Sequence, residues 1–436
     1  MVSQSVSSWG NVHSGPHTLF TLRSRHDEFP ALGEDLTVLP FGNGRSYGDS
    51  CLNTGQALLR MSQLDRFIRF DRDQGILTCE AGVLLADILR LCVPTGWFPP
   101  VLPGTQYVTV GGAIANDVHG KNHHRVGTFG RHVRRLELLR SNGERLSCSP
   151  TDNTPWFAAT VGGLGLTGAI VSAELQLRRT PGPWMSVETI RFGNLEEFLA
   201  LSEESDLSHE YTVAWIDCLA KGSRRGRGLL QRASHTAEAR AAPRRGAARL
   251  SVPCSLPLVN PPSLRLFNTA HYHWPPRRRR QAVQPFDRFF FPLDGIRNWN
   301  RLYGSRGFFQ YQAVLPEPRA REATAALLES VASDRAGSFL AVLKRCGPLA
   351  SPGLLSFPMP GLTLALDFPN TGAPLAHLFE RLDDIVRAAG GRLYPAKDAR
   401  MPGELFRSGY PRWREFARFI DPHCSSDFWR RVSADA

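Results

Sequence analysis

Four stretches of the chain hold residue types able to do chemistry. The first is the loop FGNGRSYGDS at 41–50, where Gly42, Gly44 and Gly48 permit backbone conformations and close approach that a Cβ would block. Exposed N–H groups in such a loop can cradle a pyrophosphate. The spacing is GxGxxxG, not GxGxxG, and no helix is expected after it, so a Rossmann assignment does not follow. Read alone, the loop is equally a surface turn. The second stretch, LPGTQYVTVGGAIANDVHGKNHHRVGTFG at 102–130, holds six glycines, Lys121 and three histidines. Gly111 and Gly112 between apolar residues imply backbone pressed against something flat or anionic. His119, His123 and His124 lack a carboxylate or thiolate at useful spacing, so no metal site is expected. The third is VGGLGLTGAI at 161–170 and the fourth GGRLYPAKDAR at 390–400. The 52 Lys and Arg residues include only four lysines, and two of these, Lys121 and Lys397, sit in Gly- or Pro-flanked turns. A lysine can shift its pKa and act as acid or base where an arginine cannot. Three separate Gly-rich loops between residues 41 and 170 together suggest one long cofactor lying over several backbone segments.

The elements around these loops read as α/β with many short strands. Two hairpins are expected, 67–70 with 76–79 and 136–139 with 145–148, each around a polar turn. Leu84, Leu85, Ile88, Leu89 and Cys92 recur at helical spacing. Residues 169–178 alternate as a half-buried strand. TPGPW at 180–184 marks a boundary. Later, 339–343 and 362–368 are strand-like, and the stripe Leu375, Leu378, Phe379, Leu382, Ile385, Val386 predicts a helix opened by Pro374 and closed by Gly390-Gly391.

Composition excludes several classes. Hydrophobic residues make up 42% and charged residues 21%, as in ordinary globular proteins. Apolar runs such as FFFPL at 289–293 are far shorter than the roughly 18–20 residues that span a bilayer. No secretory signal is visible at the N-terminus. The net charge of +12 is concentrated in 221–280, which has 14 Lys and Arg against one acid, so a nucleic-acid partner is not implied. The segment at about 221–283 is poor in large apolar residues over 221–249 and is expected to be a mobile basic insertion, with order resuming near 285. Eight scattered cysteines without ligand spacing read as reduced thiols.

GNGRSYGD, PGTQYVTVGGAIANDVHGKNHH and VGGLGLTG, in this order, resemble the FAD-binding domain of the vanillyl-alcohol-oxidase superfamily. The similarity continues through WNRLYGSRGFFQYQ at 299–312, LALDFP at 364–369 and GGRLYPAKDAR. It implies an α+β fold: a two-part FAD-binding domain of the PCMH type over 1–183 and 392–436, and a substrate domain over 184–391 with an antiparallel sheet flanked by helices. It also implies that Gly42, Asn43, Gly44, Arg45, Ser46 and Tyr47 hold the pyrophosphate and flank the flavin. Gly104, Thr105, Val108, Gly111, Gly112, Asn116, Val118, His119 and Gly120 would follow the FAD, and Gly163, Leu166 and Ile170 would close over its adenine side. Tyr394 and Ala396 would border the isoalloxazine. With Tyr47 where covalent members carry histidine, FAD is expected to be non-covalent.

The activity implied is oxidation of a sugar hydroxyl, the 2′-OH of a polyprenyl-phosphoryl ribose, as the oxidase half of an epimerisation to arabinose for the cell envelope. Hydride would pass to flavin N5 while the hydroxyl proton leaves to Lys397, directly or through Tyr47 or His119. Lys121, Phe290, Arg301, Gln310, Gln312, Thr363 and Ala365 would form the substrate pocket with Lys397. Phe290, Thr363 and Ala365 depart from the family pattern there and bear on which sugar and lipid fit. The alternative is an FAD-dependent oxidase of a soluble polyol or sugar lactone. A short-chain reductase partner, a cytoplasmic location and peripheral contact of the basic insertion with the inner membrane complete the expectation.

Overall fold

The computed structural model describes residues 3–238, 250–255, 257–274, 277–334 and 336–434. Residues 3–60 supply a four-stranded sheet: β1 (Ser3–Ser7), β2 (Ser14–Thr21), β3 (Val38–Phe41) and β4 (Ala57–Arg60), in the order β1-β2-β4-β3. β2 and β3 flank β4 in parallel. The two expected hairpins form as β5 (Phe67–Asp71) with β6 (Ile76–Glu80) and β7 (Val133–Leu139) with β8 (Arg145–Cys148). β9 (Ala169–Gln176) lies between them, so the sheet runs β5-β6-β9-β7-β8. The apolar stripe at 84–92 becomes helix α1 (Leu85–Cys92), whose Leu85, Ile88, Leu89 and Cys92 are buried. A six-residue helix α2 (Val110–Ala115) lies within the second glycine-rich stretch, capped by the Thr109 hydroxyl, which accepts from Gly112 N.

From Trp184 the chain builds an eight-stranded sheet. Its strands are β10 (Trp184–Phe192), β11 (Tyr211–Ile216), β12 (Gly228–Thr236), β13 (Arg279–Pro285), β14 (Phe308–Pro316), β15 (Ala341–Cys346), β16 (Gly361–Pro369) and β17 (Arg392–Leu393). They are arranged β13-β10-β12-β11-β15-β16-β14-β17, every pair antiparallel. One face carries Ala214, Ile216, Leu230, Ala313, Leu315, Leu343, Leu364 and Leu366 into a core shared with α3 (Leu195–Ser208), α5 (Glu317–Ser333) and α6 (Ala373–Ala388), while α4 (Pro261–His273) lies elsewhere. The predicted stripe on α6 is the buried one.

The expected mobile insertion at 221–283 is corrected here. β12 sits inside the sheet, paired on both sides, α4 is a helix of three turns, and β13 forms the sheet edge. Arginine content misled because Arg232 is buried yet neutralised: it donates to Glu188 at 2.6 Å and to Glu204 at 2.8 Å. A paired arginine can occupy a strand interior that an unpaired one cannot. Within the insertion, residues 239–249 lie outside the described ones.

After β17 the chain returns to the first sheet. Arg431, in α7 (Asp427–Ser433), donates to both oxygens of Asp49 at 2.8 Å and to Asp398 at 2.9 Å. Both carboxylates are buried. The clasp fixes the 394–401 segment beside the 41–50 loop. Arg431→Met would leave two buried carboxylates without their cation. It is expected to lower the unfolding free energy by about 3 kcal/mol, read as an earlier urea midpoint at unchanged slope. An unchanged midpoint would show that the clasp adds nothing.

Candidate active site

The 41–50 loop is held on both flanks. Tyr47 N donates to Ala396 O at 3.0 Å, and Gly10 N to Tyr47 O at 3.1 Å. Gly48 permits the contact with the 398–399 backbone, since a Cβ there would lie 1.7 Å from Asp398 O. Gly44 takes φ +59°, the left-handed region. Among the described residues the N–H groups of Asn43, Gly44, Arg45 and Ser46 have no protein acceptor. The Arg45 guanidinium lies 4.3 Å from the Trp9 ring centroid, and its buried Nε is also unpartnered. Successive N–H groups without a protein acceptor and a half-buried guanidinium with an unpartnered Nε form a receptor for an anion such as a pyrophosphate.

This loop opens on a cavity of about 1270 Å³. Gly42, Gly44, Arg45, Ser46, Tyr47, Gly104, Thr105, Val108, Gly111, Gly112, Asn116, Val118, His119, Gly120, Ile170, Tyr394 and Ala396 line it. Asn43, Gly163 and Leu166 do not. The Asn43 amide turns back to Tyr107 O at 2.8 Å. Gly163 packs against helix backbone, with Ala159 O 2.2 Å from where its Cβ would be, and Leu166 is buried in the core. Leu164, at φ +57°, reverses the turn, so that it and Gly165 face the cavity instead. The cavity and its receptor loop suit an elongated dinucleotide.

One face of the eight-stranded sheet forms the other wall. Side chains two apart share a face, and the register aligns Leu229, Trp215, Val342, Ala365 and Gln312 across five strands. Gln310, Thr363 and Lys344 line the cavity from three of these strands, β14, β16 and β15. Phe290, Lys121 and Lys397 complete it. Arg301 does not reach it; its guanidinium donates to Val252 O at 3.3 Å and Pro253 O at 2.7 Å.

A model of the FAD binding domain matches residues 31–149. Over 412 residues the chain is 38% identical to decaprenylphosphoryl-beta-D-ribose oxidase of Mycolicibacterium smegmatis, covering 91% of this chain and 89% of that one. The chain belongs to the decaprenylphosphoryl-β-D-ribose oxidase family. As a member it is an FAD-dependent oxidoreductase. It is also 35% identical over 373 residues to an uncharacterised Streptomyces coelicolor protein, covering 80% of this chain and all of the other. Similarity to bovine L-gulonolactone oxidase, at 32% identity, covers only 39% of each chain.

Within this family member, three of the four lysines meet in the one cavity. Lys397 Nζ sits 3.7 Å from the centroid of the Tyr47 ring. Burial pushes Lys397 down to about 8, with Asp367 pulling it back up. Asp367 is itself pushed up to about 7 by burial, against the hydrogen bond from Gln310 at 2.5 Å and the Lys397 charge. Lys121 donates to Phe289 O and lies over the Phe289 ring, and burial, then the charge of Lys344, bring it down to about 7. Lys344 reaches His119 Nδ1 at 2.5 Å and Gly120 O at 2.9 Å, and burial lowers it to about 8. Burial, then Lys344, His123 and Lys397, keep His119 neutral, well below its ordinary value. On the other side of the ring, the Gln312 amide nitrogen lies 3.2 Å from His119 Nε2. Burial raises Tyr47 well above its ordinary range.

Sequence reasoning did not assign Lys344, Asp367 or Asp117. Lys344 was distinguishable only by its rarity among arginines. Asp117 accepts from Gly130 N and the Ser356 hydroxyl and ties the His119 loop to the 353–356 turn. His123 and His124 are absorbed by packing: Gly347 N donates to His123 Nδ1, and His124 faces Asp206.

With only four lysines, ¹³C labelling of the ε-methylene groups resolves each titration. In the substrate-free protein, midpoints are expected near 7 for Lys121 and near 8 for Lys344 and Lys397. Lys344→Met should raise the Lys121 midpoint, because it removes a like charge. Midpoints near 10.5 for Lys121, Lys344 and Lys397 would contradict the burial of these amines.

Proposed function

We propose that the protein oxidises the 2′-hydroxyl of a polyprenyl-phosphoryl ribose to the ketone. The observation that carries this reading is a single cavity joining an anion-receptor loop, three desolvated lysines and an apolar extension, in a chain similar to a decaprenylphosphoryl-ribose oxidase over both halves. The relation to L-gulonolactone oxidase covers too little of either chain to favour a soluble lactone or polyol. FAD, when bound, supplies the acceptor for the hydride lost from the alcohol carbon. Gly42, Gly44, Arg45, Ser46, Gly104, Thr105, Gly111, Gly112 and Asn116 would hold it, with Tyr394 and Ala396 at its far edge.

Lys397 takes the hydroxyl proton. A depressed pKa makes its neutral amine available near pH 8, and Tyr47 beneath it orients the amine. Lys344 supplies positive charge for the substrate phosphate, and Lys121, near 7 in the substrate-free site, gains its proton as the phosphate enters, a part that Arg301, turned to Val252 O and Pro253 O, does not share. Gln310 positions Asp367, and Gln312 positions His119. Ala365 and Thr363 leave space on the wall and shape which sugar fits.

The FAD is held non-covalently. Cys51 lines the cavity, yet burial pushes its thiol up to about 12 and its Sγ faces Ser46 O and Gly48 O. A thiol so protonated is a poor nucleophile. A keto sugar must be reduced to complete an epimerisation, so a separate nicotinamide-dependent short-chain reductase would consume the product. Among the described residues no helix is long and apolar enough to cross a membrane; contact with the inner membrane would be peripheral.

Three outcomes are expected. Acid precipitation should release all the flavin into the supernatant; yellow colour retained in the pellet would mean a covalent link. Lys397→Ala should keep bound FAD and lose about 10²–10⁴-fold in kcat/KM, read by anaerobic bleaching with a polyprenyl-phosphoryl ribose. Asp367→Asn should move the rising limb of the kcat/KM profile to lower pH, because Asp367 raises the Lys397 pKa; a shift to higher pH would remove Lys397 as the base.

A further inference from the structure

The cavity continues past the lysines as an apolar arm beneath α4, lined by Trp215, Leu229, Leu258, Leu264, Phe267 and Phe339. Leu258 and Phe267 line this arm while 54% and 44% exposed, so they mark its mouth. The outer side of α4 repeats the apolar character. Leu266, Ala270 and Trp274, spaced four apart, share one solvent face, with Leu266 74% and Trp274 76% exposed. Among the described residues eight large apolar side chains are exposed, and five of them fall between 250 and 274. Such clustering marks an interaction surface, whereas scattered exposure does not.

The charge beside this patch has one sign. Residues 250–286 contain five arginines and no acid. Arg278 and Arg279 are paired with Glu197 and Glu188, but Arg277 and Arg280, three and six residues after Trp274, are exposed and have no carboxylate partner among the described residues. An exposed Leu/Trp face on a helix followed by free arginines is the pattern of an element lying in a bilayer interface, with the indole at headgroup level.

Resting on the lipid-linked substrate proposed above, we propose that α4 docks on an anionic bilayer. Leu266 and Trp274 enter the interface, Arg277 and Arg280 meet the headgroups, and the mouth between Leu258 and Phe267 faces the lipid. A polyprenyl chain then passes from bilayer to cavity without exposing its length to water, while the polar end reaches the lysines.

Co-sedimentation of the full chain with vesicles tests this, using phosphatidylcholine alone and with one third phosphatidylglycerol. Wild type is expected to pellet with the anionic vesicles and not with the neutral ones. The double variant Arg277→Ala/Arg280→Ala should lose roughly 25-fold in partitioning, about fivefold for each cation. Leu266→Asp/Trp274→Asp should abolish pelleting. An unchanged visible spectrum and unchanged turnover of a short, water-soluble prenyl-phosphoryl ribose would show that both variants are folded. Equal pelleting of wild type and variants would overturn the proposal. So would vesicle-independent dimerisation abolished by the same substitutions, which would assign the face to a second copy. If wild type pellets as expected yet ignores the soluble substrate, the docking stands and the substrate reading fails.

Discussion

Removing three ammonium groups from water into one cavity is the constraint to which the site is built. Each buried lysine loses hydration that nothing in an apolar wall replaces, and the charge of Lys344 further lowers the proton affinity of Lys121. The fold answers with partial compensation. Lys121 has a carbonyl and an aromatic face, Lys344 has an imidazole and a carbonyl, and Lys397 has the field of Asp367 and the Tyr47 ring. None has a full ion pair within the cavity among the described residues. Amines so held rest near neutrality, where gaining or losing a proton costs little. That condition would suit the proposed reaction, in which the site attracts a phosphate and receives a hydroxyl proton.

Sheet geometry makes this arrangement rigid. Alternation along β14, β15 and β16 sends leucines to the helices and Gln312, Val342, Lys344, Thr363 and Ala365 to the cavity. A one-residue slip in any of these strands would exchange the two sets. The large leucine core under α5 and α6 therefore does more than stabilise: it locks the register on which the polar face depends.

Legibility followed the range of the signals. The glycine-rich loops, both hairpins, α1, β9 and α6 were readable because turn residues and periodicity act within a dozen positions. Lys344 and Asp367 were not, because their environment comes from strand pairing and from His119 and Gln310, far away in sequence. Arg301 was misplaced for the converse reason: a nearby motif suggested a pocket, while its guanidinium found carbonyls at 252–253. Leu166 and Gly163 were displaced by a turn in which Leu164, between the left-handed Gly162 and Gly165, also takes positive φ, which no leucine propensity announces. β12 was obscured by arginine content, which reads as solvated until Glu188 and Glu204 are seen beside Arg232.

The Arg431 clasp has a bearing on how the molecule is made. Asp49 and its cation are separated by 382 residues. During synthesis at roughly 5–20 residues per second, the glycine loop emerges many seconds before the side chain that neutralises it. The sheets can form in that interval, yet Asp49 and Asp398 cannot be buried cheaply until the far helix arrives. The nascent chain thus passes through a stage with its nucleotide cleft unlatched, open for a large coenzyme to enter before the door is shut.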